Sequence, residues 1–173
     1  MIAAFIGNIG SGKTLSMVKE AYNAHLQGRV VYSNFRLNFP YTPYTVEDLV
    51  SWAKNRESLP SSFVLLIDEA HIYLDSRTSV ANRNKVITYL LLQTRKMGCD
   101  VFFTTQFLHQ VDKRLRNLTS HIVECSTRKE GDTTYTLNKL HVMKGGDVVS
   151  KNYVFQSNKY FNLYDTYEVV SVD

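Results

Sequence analysis

Cysteine, proline and long apolar runs are all scarce in this sequence. Its 173 residues include two cysteines and three prolines. Cys99 and Cys125 lie in separate apolar segments without the spacing of metal ligands, which argues against a zinc site or a disulfide and predicts two buried free thiols. No segment approaches the roughly 20 apolar residues that cross a bilayer, and the opening residues lack the positive charge of a signal peptide. We therefore expect an intracellular protein without a transmembrane segment.

The composition is that of one globular unit with a mild excess of positive charge. Hydrophobic residues make up 44% of the chain and aromatic residues 12%, enough for one sizeable core, so we expect a single domain over residues 1–173. The formal net charge of +4 indicates no nucleic acid partner by itself. Positive charge is concentrated, however, between Asp75 and Asp100 and again in residues 113–116. Each cluster is either a solvated surface or a contact for phosphate groups.

Strand-like and helix-like stretches alternate over the first part of the chain. The pattern predicts helices at 13–27 and 79–97, and strands at 2–6, 30–33, 63–67, 101–105 and 121–125. This alternation predicts an α/β fold, in which a mostly parallel central sheet is flanked by helices on both faces. The core of this fold is expected over about residues 1–125. Beyond residue 130, short Thr/Tyr/Val-rich pieces are split by Gly131 and by Gly145-Gly146, which predicts a small antiparallel addition at one edge, over about 130–173.

A glycine-broken loop lies between the first predicted strand and the first predicted helix. Residues 7–14, GNIGSGKT, fit the pattern G-x-x-x-x-G-K-[ST]. The glycines of such a loop let successive backbone N–H groups point at a phosphate, and the following helix adds the positive end of its dipole. Lys13 then reaches the β- and γ-phosphate oxygens, while the hydroxyl of Thr14 ligates Mg²⁺. The pattern predicts that ATP is bound by Gly7, Asn8, Ile9, Gly10, Ser11, Gly12, Lys13, Thr14 and Leu15.

Polar side chains follow two other predicted strands at their carboxyl ends. Asp68 and Glu69 come after the apolar strand of FVLLIDEAH, and Gln106 follows VFFTT. Ligands of open α/β sheets bind at this edge. We expect Asp68 to hold the Mg²⁺ shell through water and Glu69 to orient and deprotonate the attacking water. The Gln106 amide is predicted to sense the γ-phosphate.

Four segments, taken in chain order, resemble the FtsK–HerA branch of P-loop ATPases: GNIGSGKT, LLIDEAH, TRKMGCDVFFTTQ and QVDKRLRNLTSHIVEC. Within this branch the chain is most similar to Zot-like ATPase domains and to the genome-packaging ATPases of tailless viruses. The resemblance implies a RecA-like P-loop NTPase fold of the ASCE type. It also implies that Glu69 is catalytic, that Gln106 contacts the γ-phosphate, and that the subunits form rings that move DNA.

The same resemblance suggests an arginine that acts on the nucleotide of a neighbouring subunit. FtsK-type proteins place it in the helix before the glutamine-bearing strand, three positions ahead of a glycine, and Arg95 with Gly98 fits this pattern. Such an arginine neutralises charge at the γ-phosphate and accelerates hydrolysis by about 10³ to 10⁵ where it acts. Arg83, Arg114 and Arg116 are the other candidates.

These features predict an ATP-hydrolysing motor subunit that packages double-stranded viral DNA into a capsid. We expect a ring-shaped homo-oligomer in the host cytoplasm that binds DNA without sequence preference, with a capsid or membrane protein at the virion vertex as a further partner. The nearest alternative is a Zot-like ATPase for filamentous-virus assembly or extrusion, whose membrane anchor lies beyond residue 173 or on a partner. Two more distant alternatives are a nucleotide or metabolite kinase and a nucleotide-gated assembly protein with little hydrolysis.

Overall fold

One eight-stranded sheet runs through the described part of the chain. The computed structural model describes residues 1–55, 60–74, 81–144 and 146–165, without the side chains of residues 73, 81–86, 95, 96 and 144. The helices and strands follow in chain order as β1 (Ile2–Ile6), α1 (Lys13–Leu26), β2 (Val30–Ser33), β3 (Thr42–Pro43), α2 (Val46–Lys54), β4 (Phe63–Ile67), α3 (Ala70–Tyr73), α4 (Ala81–Lys96), β5 (Asp100–Thr105), α5 (Lys113–Leu118), β6 (His121–Glu130), β7 (Thr133–Lys144) and β8 (Asp147–Gln156). Short 3₁₀ helices lie at Leu108–Gln110, Ser157–Lys159 and Phe161–Leu163.

The strand order places the three polar motifs on adjacent strands. It is β3-β2-β4-β5-β1-β6-β7-β8, so β5 lies between the strand that precedes the glycine-rich loop and the strand that precedes the two acids. Both neighbours of β5 are parallel to it, in a register that pairs Ile6 with Thr105 and Ile67 with Phe103. The carboxyl ends of β1, β4 and β5 therefore meet at one edge of the sheet, as the sequence pattern predicts.

Helices cover both faces of the sheet, which confirms the expected layers. Alternate strand residues such as Phe5 and Leu66 pack against α1, whose buried side includes Met17 and Val18. The intervening residues face α2, α4 and α5, and the core on that side contains, among others, Phe63, Leu65, Ile67, Phe103, Leu49, Ile87, Leu90, Leu91 and Leu115. β1 and β4 are apolar throughout because both faces of the sheet are buried there.

The antiparallel addition is larger than its sequence indicates. β6 continues to Glu130 instead of ending near Cys125, and β7 and β8 add strands of 12 and 10 residues. All three pair antiparallel, and the β6–β7 turn lies at Gly131 as expected. Most of β8 is exposed, so hydrophobic alternation is weak there and the sequence suggests only short pieces.

The hydrophobic pattern does not predict helix α2, although a capping box marks its start. It begins with a capping box, in which the Thr45 hydroxyl accepts from the Asp48 N–H at 3.2 Å and the Asp48 carboxylate accepts from the Thr45 N–H at 2.7 Å. Such a box marks a helix start independently of periodicity. α4, by contrast, corresponds to the helix predicted at 79–97; residues 79 and 80 lie outside the described residues.

Helix length and cysteine burial are two further features of the described residues. Within residues 1–55, 60–74, 81–144 and 146–165, every helix is too short or too polar to span a membrane. Cys99 and Cys125 are both buried free thiols. Burial raises the pKa of the Cys125 thiol to about 11, which keeps it protonated and unreactive at neutral pH.

Candidate functional site

The glycines of the loop have backbone conformations and contacts that other residues would disturb. Gly7 has φ 144°, and a Cβ at this position would lie 2.6 Å from both the Cys125 carbonyl oxygen and Ser11 Oγ. Gly12 has φ 83° and caps α1, and a Cβ there would lie 3.1 Å from the side chain of Thr136. The loop therefore needs glycine at Gly7 for close approach and at Gly12 for both conformation and space.

Lys13 lies inside the loop rather than in solvent. The residue is 6% exposed, and Nζ donates to the Asn8 carbonyl oxygen at 2.9 Å. Ile9 at the tip of the loop is exposed, whereas the side chain of Leu15 is buried, so Leu15 can offer a ligand only its backbone. Ser11 Oγ is buried without a hydrogen-bond partner among the described residues. A buried hydroxyl and an ammonium group thus line the inside of the loop.

Asp68 connects the loop to the sheet edge through two hydroxyl groups. Its Oδ1 accepts from Thr14 Oγ1 at 3.0 Å and from Thr104 Oγ1 at 2.6 Å. Burial raises the pKa of Asp68 above its ordinary value, and the hydrogen bonds from the two threonines together with Lys13 offset only part of that rise. A cation bound beside Asp68 would favour its ionised form.

The backbone around the two acids is fixed from both neighbouring strands. Asn34, just after β2, accepts from the Asp68 N–H at 2.8 Å and donates to the Asp68 carbonyl oxygen at 3.2 Å. Thr104 Oγ1 accepts from the Glu69 N–H at 2.8 Å while donating to Asp68. Glu69 itself has a left-handed conformation with φ 51° and ψ 50°, which is uncommon outside glycine and persists where surrounding contacts enforce it.

The Glu69 carboxylate points toward a histidine two residues later. Its Oε2 lies 3.3 Å from His71 Nδ1, in the one-turn helix α3. His71 Nδ1 is buried and makes no hydrogen bond of acceptable geometry within the described residues. The Glu69 carboxylate therefore lies next to His71, whereas the Asp68 carboxylate accepts from Thr14 and Thr104.

Gln106 follows β5 directly and is partly exposed. Because Ile6 pairs with Thr105, the next residue on each strand, Gly7 and Gln106, lies at the same level of the sheet edge. Gln106 is thus placed between the loop and the strand that leads to Asp68, where the sequence predicts a sensor of the γ-phosphate. That role stays a prediction.

The structure describes the side chains of two of the four candidate arginines. The side chains of Arg83 and Arg95 lie outside the described part of the chain. Arg114 is exposed on α5, with Nη1 3.7 Å from Asp112 Oδ2. Arg116 Nε is buried without a hydrogen-bond partner among the described residues. The choice of Arg95 as the residue acting on a neighbouring subunit stays a prediction.

The oxygen atoms at the loop suit Mg²⁺ bound together with a nucleotide. Thr14 and Asp68 bring a hydroxyl and a carboxylate within 3.0 Å of each other. Residues 1–55, 60–74, 81–144 and 146–165 contain no group of three or more His, Cys, Asp or Glu side chains that could hold a metal by themselves. Mg²⁺ commonly binds through one or two protein oxygens, with substrate phosphates and waters completing its shell. The donor set therefore fits Mg²⁺ with a phosphate ligand.

Comparison with known proteins decides the family. A family model described as Zonular occludens toxin (Zot) matches residues 1–169. The chain belongs to the Zot family. This confirms the resemblance to Zot-like proteins that the sequence motifs indicate.

Several phage proteins are relatives of this Zot-family chain. It is 27% identical to the Gene 1 protein of Salmonella phage IKe over 161 residues, which cover 81% of this chain and 44% of that protein. It is 26% identical to the Gene 1 protein of Enterobacteria phage M13 over 204 aligned residues, covering 95% of this chain and 59% of that protein. The chain thus spans about half the length of these relatives.

Solved structures confirm the predicted RecA-like P-loop NTPase fold. The N-terminal domain of zonular occludens toxin from Neisseria meningitidis matches with a TM-score of 0.66 and 24% identity, covering 95% of this chain and 98% of that one. The genome packaging NTPase B204 of Sulfolobus turreted icosahedral virus 2, in complex with ATP-gammaS, matches with a TM-score of 0.60 and 14% identity, covering 86% and 95%. At these identities the likeness concerns the fold alone.

The Zot-family site includes residues whose contribution the sequence does not reveal. Asn34 lies in VVYSNFRL, a segment that resembles Zot-type ATPase domains, but the sequence does not predict its contact with Asp68. Thr104 lies at the predicted sheet edge, but only the structure shows that its hydroxyl joins Asp68 to the backbone of Glu69. The antiparallel strands also contact the loop, since Thr127 Oγ1 donates to the Gly10 carbonyl oxygen at 3.3 Å. These contacts depend on strand order and register, which the sequence pattern leaves open.

Proposed function

We propose that this chain is an ATPase domain that uses ATP hydrolysis to move viral DNA during virion assembly, as a subunit of a ring-shaped homo-oligomer. The observation that carries the proposal is the contact between Thr14 and Asp68, with Glu69 next along the chain. A phosphate-binding loop is thereby joined to a carboxylate pair at the edge where ligands of α/β sheets bind. The same residues would assemble a hydrolytic site around a nucleoside triphosphate.

The reaction requires positioning and charge stabilisation more than covalent chemistry by the protein. The backbone N–H groups of residues 7–14 would hold the phosphates, and Lys13 would exchange its contact with Asn8 for the β- and γ-phosphate oxygens. Water attacks the γ-phosphorus, its proton passes to Glu69, and the bond between that phosphorus and the β–γ bridging oxygen breaks. The products are ADP and inorganic phosphate.

Further residues would support this reaction around the phosphates. Thr14 and Asp68 would hold Mg²⁺, which neutralises phosphate charge when bound. Gln106 would contact the γ-phosphate or the attacking water from the end of β5. Arg95 would reach the nucleotide of the adjoining subunit, with Arg83, Arg114 and Arg116 as the remaining candidates.

The relatives support a role in virion assembly and favour one form of it. B204 is a genome packaging NTPase, but its likeness to this chain concerns the fold alone. The Zot family, by contrast, is shown by sequence over residues 1–169, and phage Gene 1 proteins align with 81% to 95% of the chain. We therefore favour a Zot-like assembly or extrusion ATPase over a motor that packages double-stranded DNA into a capsid. In either form the site of action is the host cytoplasm, and a capsid or membrane protein at the virion vertex is a further partner.

The enzymatic part of the proposal is tested by steady-state ATP turnover with and without duplex DNA. Glu69→Gln should retain binding of an ATP analogue but lose about 10²-fold or more in turnover, because the general base is absent. Lys13→Ala should lose both binding and turnover. Glu47→Gln, the same change at an exposed position of α2, is the matched control and should behave as the wild type. Full turnover in Glu69→Gln would refute the assignment of the base, and absence of turnover under every condition would favour a nucleotide-gated assembly protein.

The two forms of the role differ in what the gene encodes after residue 173. An in-frame extension with an apolar segment of about 20 residues supports assembly or extrusion at a membrane. Turnover that duplex DNA stimulates supports packaging into a capsid.

A further inference from the structure

The side chain of Glu69 is held less firmly than its backbone. The backbone N–H donates to Thr104 Oγ1, the carbonyl oxygen accepts from the Ile72 N–H at 2.8 Å, and Asp68 beside it is fixed by Asn34. The Glu69 carboxylate, in contrast, has no hydrogen bond within the described residues and retains three side-chain torsions. A general base gains from being held in one orientation toward its water, and a neighbouring side chain can supply that restraint.

His71 lies where such a restraint is needed. Its Nδ1 is 3.3 Å from Glu69 Oε2, and the same nitrogen is buried with no hydrogen bond of acceptable geometry among the described residues. A buried polar nitrogen is costly unless it finds a partner, and a small rotation of the carboxylate would complete a bond from Nδ1–H to Oε2. This hydrogen bond would pair the buried nitrogen and restrain the carboxylate.

The helix that carries His71 is firmly anchored. Ala70 and Leu74, on either side of the α3 turn, are 0% and 2% exposed in the core. The Leu74 N–H donates to the Ala70 carbonyl oxygen at 2.8 Å, and the Leu74 carbonyl oxygen accepts from the Asp112 N–H at 2.9 Å. The imidazole thus projects from a fixed turn toward the carboxylate of a residue whose backbone is also fixed.

We propose that His71 is a positioning residue that holds Oε2 of Glu69 and thereby leaves Oε1 directed to the attacking water. This inference rests on the proposed function, in which Glu69 is the general base. In this scheme Oε1 accepts the proton of the attacking water. His71 itself touches neither nucleotide nor water in this scheme; it acts through Glu69.

The test compares three substitutions at His71 in the full chain. Asparagine places its Nδ2 close to the position of histidine Nδ1, whereas glutamine reproduces the more distant Nε2 and alanine supplies no donor. We expect His71→Ala and His71→Gln to lower kcat about tenfold with KM changed less than about twofold, since only transition-state positioning is lost. His71→Asn should recover most of the wild-type kcat. Wild-type kcat in both the alanine and glutamine variants would overturn the proposal, as would equal losses in all three.

A double-mutant cycle with Glu69→Gln separates positioning from a structural effect. If His71 acts through the Glu69 carboxylate, His71→Ala should cause no further loss in the Glu69→Gln background. A further tenfold loss there would show that His71 acts elsewhere. If the alanine variant unfolds, the kcat values of His71→Asn and His71→Gln are compared instead. Full turnover in Glu69→Gln alone refutes the proposed base, whereas loss in Glu69→Gln with wild-type kcat in His71→Ala refutes only the role of His71.

Discussion

At the level of single residues, the glycines of the loop at residues 7–14 have different physical tasks. Gly7 allows the loop to approach the Cys125 carbonyl oxygen on β6, where a side chain has no room. Gly12 combines a left-handed backbone with contact to Thr136 on β7. The loop is therefore shaped by the antiparallel strands as well as by its own sequence.

Gly12→Ala should damage the site more than its backbone conformation alone explains. The new Cβ would lie 3.1 Å from Thr136, so the buried Thr136 side chain or the loop would have to give by a few tenths of an ångström. We expect loss of more than about tenfold in ATP turnover and a lower free energy of unfolding by about 1–3 kcal/mol. Steady-state turnover measures the first quantity and denaturant unfolding the second.

Gly28→Ala is the matched control for this change. Gly28 has a similar φ of 82°, but a Cβ added there would meet no atom of the described residues within 4 Å, and Gly28 has no place in the loop. The variant should show only the backbone cost of about 1 kcal/mol with unchanged turnover. Equal loss of turnover in both variants would contradict the contact with Thr136 as the cause.

At the level of elements, the carboxyl and amino ends of the parallel strands have different roles. The carboxyl ends of its strands carry the polar residues of the site. At the amino ends, Arg29 joins neighbouring strands, since it donates to the Asp100 carboxylate at the start of β5 and, at 2.8 Å, to the Phe63 carbonyl oxygen on β4. Burial would raise the pKa of Asp100, but hydrogen bonds and charge from Arg29 and the Met1 amino group outweigh it, so the pKa is lowered. This edge stabilises the fold on which the site depends.

Asp100→Asn should destabilise the protein in a pH-dependent manner. The pKa of Asp100 is lower in the folded than in the unfolded chain, so its ionised form stabilises the fold above about pH 4. That contribution is lost as the pH falls through the folded-state pKa. We expect the variant to lose about 1–3 kcal/mol in the free energy of unfolding at pH 7, and the difference from the wild type to narrow below about pH 4.

Urea unfolding at several pH values measures this difference. Asp132→Asn, at an exposed position in the β6–β7 turn, is the control and should stay within about 0.5 kcal/mol of the wild type. A difference between Asp100→Asn and the wild type that stayed constant down to about pH 3, below the ordinary pKa of an aspartate, would contradict the ion pair as the source of the stability.

At the level of the whole molecule, the proposed interaction with DNA is electrostatic. The net charge is only +4, and within the described residues Lys113 and Arg114 are exposed together on α5. If the ring contacts about six phosphates or more, affinity for duplex DNA should fall about 10³-fold or more between roughly 50 and 200 mM salt. Lys113→Ala and Arg114→Ala should each reduce the slope of log affinity against log salt by about one.

Fluorescence anisotropy with labelled duplex DNA measures both quantities. Lys151→Ala is the control. Lys151 is exposed on β8, an edge strand of the sheet, and its substitution should leave the slope unchanged. Affinity that is independent of salt would contradict an electrostatic contact with the DNA backbone.

Motifs and periodicity by themselves determined the glycine-rich loop between β1 and α1, the α/β fold and the edge at which Asp68, Glu69 and Gln106 lie. Local signals suffice there, because glycine spacing fixes the loop and parallel strands bring their carboxyl ends together. The bond from Thr104 to Asp68, the placement of Asn34 and the approach of His71 to Glu69 were decided only by the tertiary structure. They depend on which strands are neighbours and on side-chain direction, and neither follows from the order of residues in the chain.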